Sequence, residues 1–494
     1  MNKSKDLYNF IMAYPASEEF ALSSLGYMWL YKIADSLEGI ETKRISADSL
    51  NIDKREIDSL AFSLSFDFDF MGVFKILEKL SIPFYSEQRG EEFPLIFAGG
   101  PVITTNPRPY EKIFDFMMIG DGEVGIKEVL EILKNEKDRN AALEKLSKIE
   151  GIYIPNKTVK KRTEALNSVI YTPIVSDKSY FKNTFIIEVA RGCMNRCAFC
   201  TASYINLPFR NYEYDKVIEA IEFGLTKTNK IALLGAQISA HPRFNDIMQY
   251  IRNKIESGTK IELGISSLRT DSVTPEMVQT LVLGGQKNST IAIEAASERL
   301  RKFINKNLKE EQILNAVKIS RENGLKGLKI YSMIGIPTET DEDIQEFIRL
   351  AKRIKAENKG FNTAFSFSTF VPKPQTPFQW ASREETKSLE KKQKYLEKEL
   401  SKLGISSKFS SAKWDYWQTV LSRGGAELTE LMEYVYKNGG KLSAYKSGVK
   451  ELNIKTEKAI AGYGYDEDLP WDIIENYPPK DLLVKEYKRL ESKI

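Results

Sequence analysis

A chain of 494 residues is too long for one compact core and divides into two to four units. Apolar residues at 42%, charged residues at 28% and aromatic residues at 11% describe a globular protein and exclude a disordered one. With 72 basic against 68 acidic groups, no global field draws the chain onto nucleic acid; no apolar run reaches the roughly 18 residues of a membrane span, so the reading is cytoplasmic.

The first unit, residues 1–145, alternates short apolar strands with helical stretches. Strands are expected at 8–15, 40–46, 59–65, 95–101 and 116–123, with helices over 18–37 and 71–80 between them. That order predicts an open parallel α/β sheet with its active edge at the strand C-terminal ends. Residues 146–182 lose the rhythm and read as an extended connector with at most one hairpin.

A second alternation runs over 183–380, with strands at 184–190, 230–236, 260–267, 288–295, 327–335 and 361–372. The helical stretches between them carry apolar residues at 3.6-residue spacing, with capping residues such as Thr274 and Asp341 near their starts. Six βα repeats predict a partial (βα)6 barrel, whose chemistry gathers on the loops after the strand C-terminal ends. Residues 381–405 read as a charged helical linker in which Glu and Lys alternate on a solvated face, and 406–494 as a small α+β accessory region.

All three cysteines lie in "EVARGCMNRCAFCTAS", directly after the first barrel strand: Cys193, Cys197 and Cys200. Three thiolates on one loop suit three irons of a 4Fe-4S cluster, whereas a purely structural cluster takes four, so one iron would stay open as a Lewis-acid site. A zinc ion completed by His241, the only histidine, is the other metal reading. It would go with a non-catalytic, metal-stabilised module binding nucleic acid or protein. The scarcity of histidine also leaves little material for a Ser-His-Asp triad.

The C-x3-C-x2-C spacing, with the aromatic Phe199 before the third cysteine, resembles the radical S-adenosylmethionine (SAM) superfamily. That resemblance implies that SAM chelates the open iron through its amino and carboxylate groups. It implies reductive cleavage of SAM to a 5'-deoxyadenosyl radical and an external electron donor such as flavodoxin or ferredoxin. It further implies SAM contacts at the ends of successive strands. Gly235-Ala236-Gln237 stands where the superfamily has Gly-Gly-Glu, while Ser267, Arg269, Glu294 and Ser297 ring the barrel mouth and Gly335 approaches the adenine.

Longer phrases, among them "FAGGPVITTNPRPYEKIFDFMMIGDGE", "TIAIEAASERLRKFINK" and "FVPKPQTPFQW", resemble the subgroup whose N-terminal domain is cobalamin-binding-like. This implies a flavodoxin-like first domain that caps the barrel, with or without cobalamin, and methyl transfer where cobalamin is bound. Residues 1–150 contain no histidine, so any cobalamin binds without a histidine lower ligand. Gly99, Gly100, Gly120 and Gly122 sit at strand ends where a corrin or phosphate could approach the backbone. Ala198 and "CTAS" depart from the subgroup's usual residues near the cluster, and the substrate is not named by any motif. Methylthio-transferring relatives share the layout but carry three further cysteines in the first domain, which this chain lacks.

Overall fold

The computed structural model describes residues 7–493. The first sheet has six strands: β1 (Tyr8–Tyr14), β2 (Ile40–Ser46), β3 (Ser59–Ser63), β4 (Leu95–Gly99), β5 (Phe116–Met118) and β6 (Ile152–Tyr153). Their order is β2-β1-β3-β4-β5-β6, parallel except for the final antiparallel pair. The strands are almost wholly apolar because both faces are covered. Phe10, Met12, Phe97 and Phe116 point to one face, under the helices Leu25–Asp35 and Gly122–Asn135. Ile11, Leu60, Ile96 and Met117 point to the other, under the helix Phe70–Lys79. The period of two in the side chains thus sorts one strand between two cores.

Two-residue β7 (Val159–Lys160) follows, and then the barrel begins with β8 (Thr184–Glu188). Strands β9 (Ala190–Arg191) and β10 (Arg210–Asn211) form a short antiparallel ribbon that closes the cysteine loop at its base. The barrel wall continues through β11 (Lys230–Leu234), β12 (Glu262–Ile265), β13 (Leu268–Arg269), β14 (Asn288–Glu294), β15 (Gly327–Ile334), β16 (Asn362–Thr369) and β17 (Ser406–Phe409). Sheet β12-β11-β8 and sheet β13-β14-β15-β16-β17 are all parallel, and the chain passes from one to the other through Ser266 and Ser267. Helices coat the outer face: Asp341–Glu357 buries Ile344, Phe347, Ile348, Ala351 and Ile354 at helical spacing. Its cap is Thr340, paired with Asp343 in a capping box, while the expected Asp341 is the first helical residue. Thr274 caps Pro275–Leu283 as expected, accepting from the Met277 N–H.

Three expected boundaries move. Residues 406–409 form an unexpected further wall strand, parallel to β16, so the charged stretch before them is the helix Thr386–Lys402 that closes the barrel's last repeat. Its Leu389, Leu396 and Leu400 are fully buried in the barrel core. The connector makes no hairpin of its own: β6 joins β5, and β7 pairs with β18 (Ile474–Glu475) near the chain's end. The last region is mostly helical, and it is shared between cores rather than appended. Trp417, Leu421, Leu431 and Tyr445 complete the core of the first sheet, while Trp471, Tyr487 and Leu490 pack with residues of the cysteine loop. Among the described residues, no helix is long and apolar enough to cross a membrane.

Candidate active site

The cysteine loop leaves the barrel at the C-terminal end of β8. Gly192 turns the chain there at φ +83°, and a Cβ at this position would lie 2.7 Å from the Asn206 carbonyl oxygen, so only glycine fits. The loop is pinned by its backbone. The Ala198 N–H donates to the Ile304 carbonyl at 2.9 Å, the Phe378 N–H to the Ala198 carbonyl at 3.2 Å, and the Tyr204 hydroxyl to the Arg196 carbonyl at 3.0 Å. Tyr204, Leu207, Phe303, Phe378 and Tyr487 form an apolar wall behind it.

All three cysteines are free thiols, with Cys193 and Cys197 buried and Cys200 half-buried. Burial pushes the Cys197 thiol up to about 12, against the pull of the Lys306 and Arg269 cations. Burial likewise raises Cys200, with Cys193 adding repulsion between like groups. Thiols in this setting ionise when a metal centre takes them as ligands. The donor set fits a 4Fe-4S cluster: three unpaired thiols close enough to sense one another, and two cations facing the charge they would acquire.

It does not fit zinc completed by histidine. His241 is 3% exposed, with Nε2 2.8 Å from the Tyr212 carbonyl and Nδ1 accepting the Arg243 N–H at 3.1 Å, so both ring nitrogens are in use. No group of three or more His, Cys, Asp or Glu side chains among the described residues is arranged to hold a single metal ion. The metal-stabilised binding module loses its zinc site.

Around the loop the structure gathers several of the expected residues. Gln237 brings Oε1 to 3.3 Å from Cys193 Sγ and also accepts from the Asn195 side-chain amide. Gly235 is packed so that a Cβ would lie 2.9 Å from the Ala190 carbonyl, and its own carbonyl accepts from Ser266 Oγ at 3.3 Å. Ala236 beside it is exposed. Glu294 closes β14 at φ +64°, a left-handed conformation disfavoured for a residue with a Cβ, just where the β14–β15 register shifts. Its Oε1 accepts from Lys306 Nζ at 2.7 Å, with side-chain exposures of only 15% and 8%. Arg269 donates to the Lys306 carbonyl at 2.9 Å and pairs with Asp271 at 2.7 Å.

Other expected residues are placed elsewhere. Ser297 caps the helix Glu298–Phe303 by accepting from the Leu300 N–H. Ser267 is exposed, and its neighbour Ser266 is the one that donates to the Gly235 carbonyl. Gly335 abuts the helix Thr386–Lys402: a Cβ there would lie 2.6 Å from Leu389 Cδ2, and its N–H donates to Glu339 Oε1 at 2.8 Å. Phe199 is half-buried against the apolar wall behind the loop. Lys306, Asn195 and Ser266 were not singled out in the sequence. Lys306 lies in a quoted phrase, but a lone lysine after a helix carries no signal of its own.

A second concavity opens where the first sheet faces the barrel. A cavity of about 310 Å³ is lined by the strand-end residues Gly99, Gly100, Gly120 and Gly122, by Phe10, Phe97 and Trp29, and by Glu188 and Arg191 beside the cysteine loop. Gly100 and Gly120 both have φ +108°, and a Cβ would lie 2.4 Å and 2.0 Å from the Leu64 and Arg162 carbonyls. Packing therefore demands both glycines. At Gly26 nothing lies within 4 Å of a built Cβ, and at Gly99 only ordinary contacts do, so those two leave room at the cavity.

The rim is charged. Arg191 pairs with Glu188 at 2.8 Å, with Asp121 at 2.9 Å and with Glu123; Arg210 also pairs with Asp121. Burial alone would raise Asp121, but Arg210 and Arg191 outweigh it and hold the carboxyl below its usual range. The ribbon that closes the cysteine loop is thus clamped to the first domain.

Two family models match the chain: the N-terminal region of radical SAM proteins over residues 29–155, and the radical SAM superfamily over residues 187–351. The chain is 30% identical over 449 residues to the uncharacterized protein MJ0966 of Methanocaldococcus jannaschii, covering 90% of this chain and 94% of that one. It is 25% identical to the uncharacterized methyltransferase PH0819 of Pyrococcus horikoshii, over 54% of this chain and 60% of that protein. Among solved structures, the cobalamin-dependent SAM radical enzyme OxsB with aqua-cobalamin and SAM bound gives a TM-score of 0.58 at 14% identity, over 99% of this chain and 76% of that one. The radical SAM methyltransferase TsrM from Kitasatospora setae, with cobalamin and a 4Fe-4S cluster bound, gives 0.55 at 13% identity, over 75% of this chain and 73% of that one.

Proposed function

The chain belongs to the radical SAM superfamily, and on that premise we propose that Cys193, Cys197 and Cys200 hold a 4Fe-4S cluster whose open iron takes SAM at the barrel mouth. When bound, the cluster supplies the electron that cleaves the SAM sulfonium to methionine and a 5'-deoxyadenosyl radical. The observation that carries this reading is the buried three-thiol loop at the C-terminal end of the first barrel strand, with Lys306 and Arg269 facing Cys197.

The surrounding residues act by holding and orienting. The Lys306 and Arg269 cations offset the charge of ionised thiols and suit the SAM carboxylate. Glu294, fixed by Lys306, presents a carboxylate to ribose hydroxyls at the strand end. The Gly235 carbonyl has a second lone pair for the SAM amino group. The apolar wall behind the loop excludes water from the far side.

The cavity above fits part of a cobalamin bound without a histidine ligand: its walls are apolar and aromatic, Gly26 and Gly99 leave it open, and no histidine lines it. Its 310 Å³ is the size of a small-ligand pocket, which runs from about 300 to 1,000 Å³. The fold likeness to OxsB and TsrM supports cobalamin there and methyl transfer to a substrate. A methylthio-transfer reading lacks material, since no cysteine remains for a second cluster.

The test is anaerobic purification and reconstitution with iron and sulfide, followed by iron analysis and 5'-deoxyadenosine assay with SAM and dithionite. About four irons per chain and sustained 5'-deoxyadenosine are expected, with both lost in Cys197→Ala. One zinc per chain without SAM cleavage overturns the reading. Co-elution of hydroxocobalamin decides the second cofactor separately.

A further inference from the structure

Arg301, in the short helix Glu298–Phe303, is fully buried, and its guanidinium donates only to backbone carbonyls among the described residues. Nε reaches Leu308 at 2.6 Å, and Nη1 reaches Ala295 at 3.0 Å and also Ala296. Buried Nη2 has no partner among the described residues. Burial works against the charge, and Glu298, Glu310 and Glu346 offset it only from a distance. A buried charge held in this way is a costly means of stability, since apolar side chains of similar volume often serve as well. Its targets point elsewhere. Ala295 and Ala296 follow Glu294 directly, and Leu308 closes the turn that carries Lys306. The Arg301 carbonyl accepts the Lys306 N–H at 2.8 Å and the Asn307 N–H at 3.2 Å, while Asn305 and Asn307 flank Lys306 at φ +57° and +53°. The same turn meets the cysteine loop: the Ile304 carbonyl accepts the Ala198 N–H, and the Asn305 amide donates to the Arg196 carbonyl at 3.0 Å.

We propose that Arg301 is a positioning residue for SAM, holding Lys306 and Glu294 at one preformed spacing beside the cysteine loop; this rests on the cluster and SAM reading above. Its rigid planar fork joins the end of β14 to the far side of the Lys306 turn. The 2.7 Å pair of Glu294 and Lys306 is thus set by a third residue that hydrogen-bonds to neither side chain. Left-handed backbone at Glu294 and on both sides of Lys306 persists only where the surroundings over-determine it, and the fork supplies that constraint. Without it the two side chains have to be ordered at the moment SAM binds, which weakens affinity. The cluster ligands and the cleaved bond are untouched, so the loss falls on binding rather than on the cleavage step.

The experiment compares the reconstituted full chain with Arg301→Met and Arg301→Lys. Iron content and melting temperature are measured first, then 5'-deoxyadenosine formation against SAM concentration under excess dithionite, and a SAM titration of the reduced cluster followed by electron paramagnetic resonance. Arg301→Met is expected to raise KM for SAM and the midpoint of the spectroscopic titration about tenfold together, with kcat per cluster within about twofold of the wild type. Arg301→Lys keeps the buried charge but loses the planar fork, and is expected to keep most of that rise; it carries the test where the methionine variant folds poorly. A role in stability alone predicts the opposite split, with lower melting temperature or iron content and an unchanged KM. A wild-type titration midpoint in either folded variant overturns the proposal. Absence of iron or of SAM cleavage in the wild type counts against the cluster reading itself, so the two failures are told apart.

Discussion

Lys306 shows how much one side chain at the barrel mouth carries. It neutralises Glu294 in a site where both are nearly out of water, and its charge also reaches Cys197. Lys306→Met is expected to strand the carboxylate and to cost about 3–5 kcal/mol in denaturant unfolding, together with loss of SAM binding by equilibrium dialysis. An unchanged midpoint would show that Glu294 finds water. The sequence made the cysteines and Glu294 legible because their types and their place at strand ends carry chemistry. It did not reveal Lys306, which reaches the site only because the helix Glu298–Phe303 turns back over the strand it follows.

At the scale of elements, the helix Thr386–Lys402 is the clearest case of a segment whose composition misled. Its Glu/Lys alternation describes a solvated face, yet three leucines spaced along it are buried in the barrel core. At about 1.5–3 kcal/mol for each fully buried leucine, that face outweighs the charged one in fixing its position. One charge also turns inward. Lys392 bridges Glu339 at 2.8 Å and Glu384 at 2.7 Å, and burial raises Glu339 from 4.5 to about 7. The folded chain therefore holds a proton that the unfolded chain releases near pH 4.5. This group's contribution is fully present below pH 4.5 and is lost as pH rises through about 7. Glu339→Gln is expected to flatten the fall in melting temperature across that window; an identical slope in the variant would refute the assignment. Elsewhere the βα rhythm was readable, because parallel strands covered on both sides are unbroken apolar runs. The final wall strand, Ser406–Phe409, was not readable, since "SSKF" carries no such run.

At the scale of the whole molecule, the units counted from the sequence share their cores. Leu25 and Trp29 belong to the barrel core although their helix covers the first sheet. Asp67 of the first domain accepts from Lys373 after the barrel's β16 at 2.6 Å and from Gln418 of the last region at 2.9 Å. The charged clamp at Asp121 adds a second tie. With its carboxyl held below 3.8, its contribution stands above that pH and is lost as pH falls further. Asp121→Ala leaves Arg210 without its carboxylate partner and is expected to cost about 3–5 kcal/mol. Faster amide exchange across the β9–β10 ribbon should accompany the loss; wild-type protection there would show that the apolar contacts suffice alone. Long-range sharing of this kind has no local signature, which is why motif and periodicity described the parts better than their borders.

The pairing of β18 with β7, and the packing of the last helix behind the cysteine loop, also set an order of events. A ribosome delivers the three thiols long before it delivers Leu483, Tyr487 and Leu490, which back their loop. Until that helix has emerged, the loop lacks these three side chains behind it. A chain that stops before Leu483 therefore carries the same thiols without part of the wall behind them, and iron and sulfide delivered to it meet a more open loop than in the folded protein.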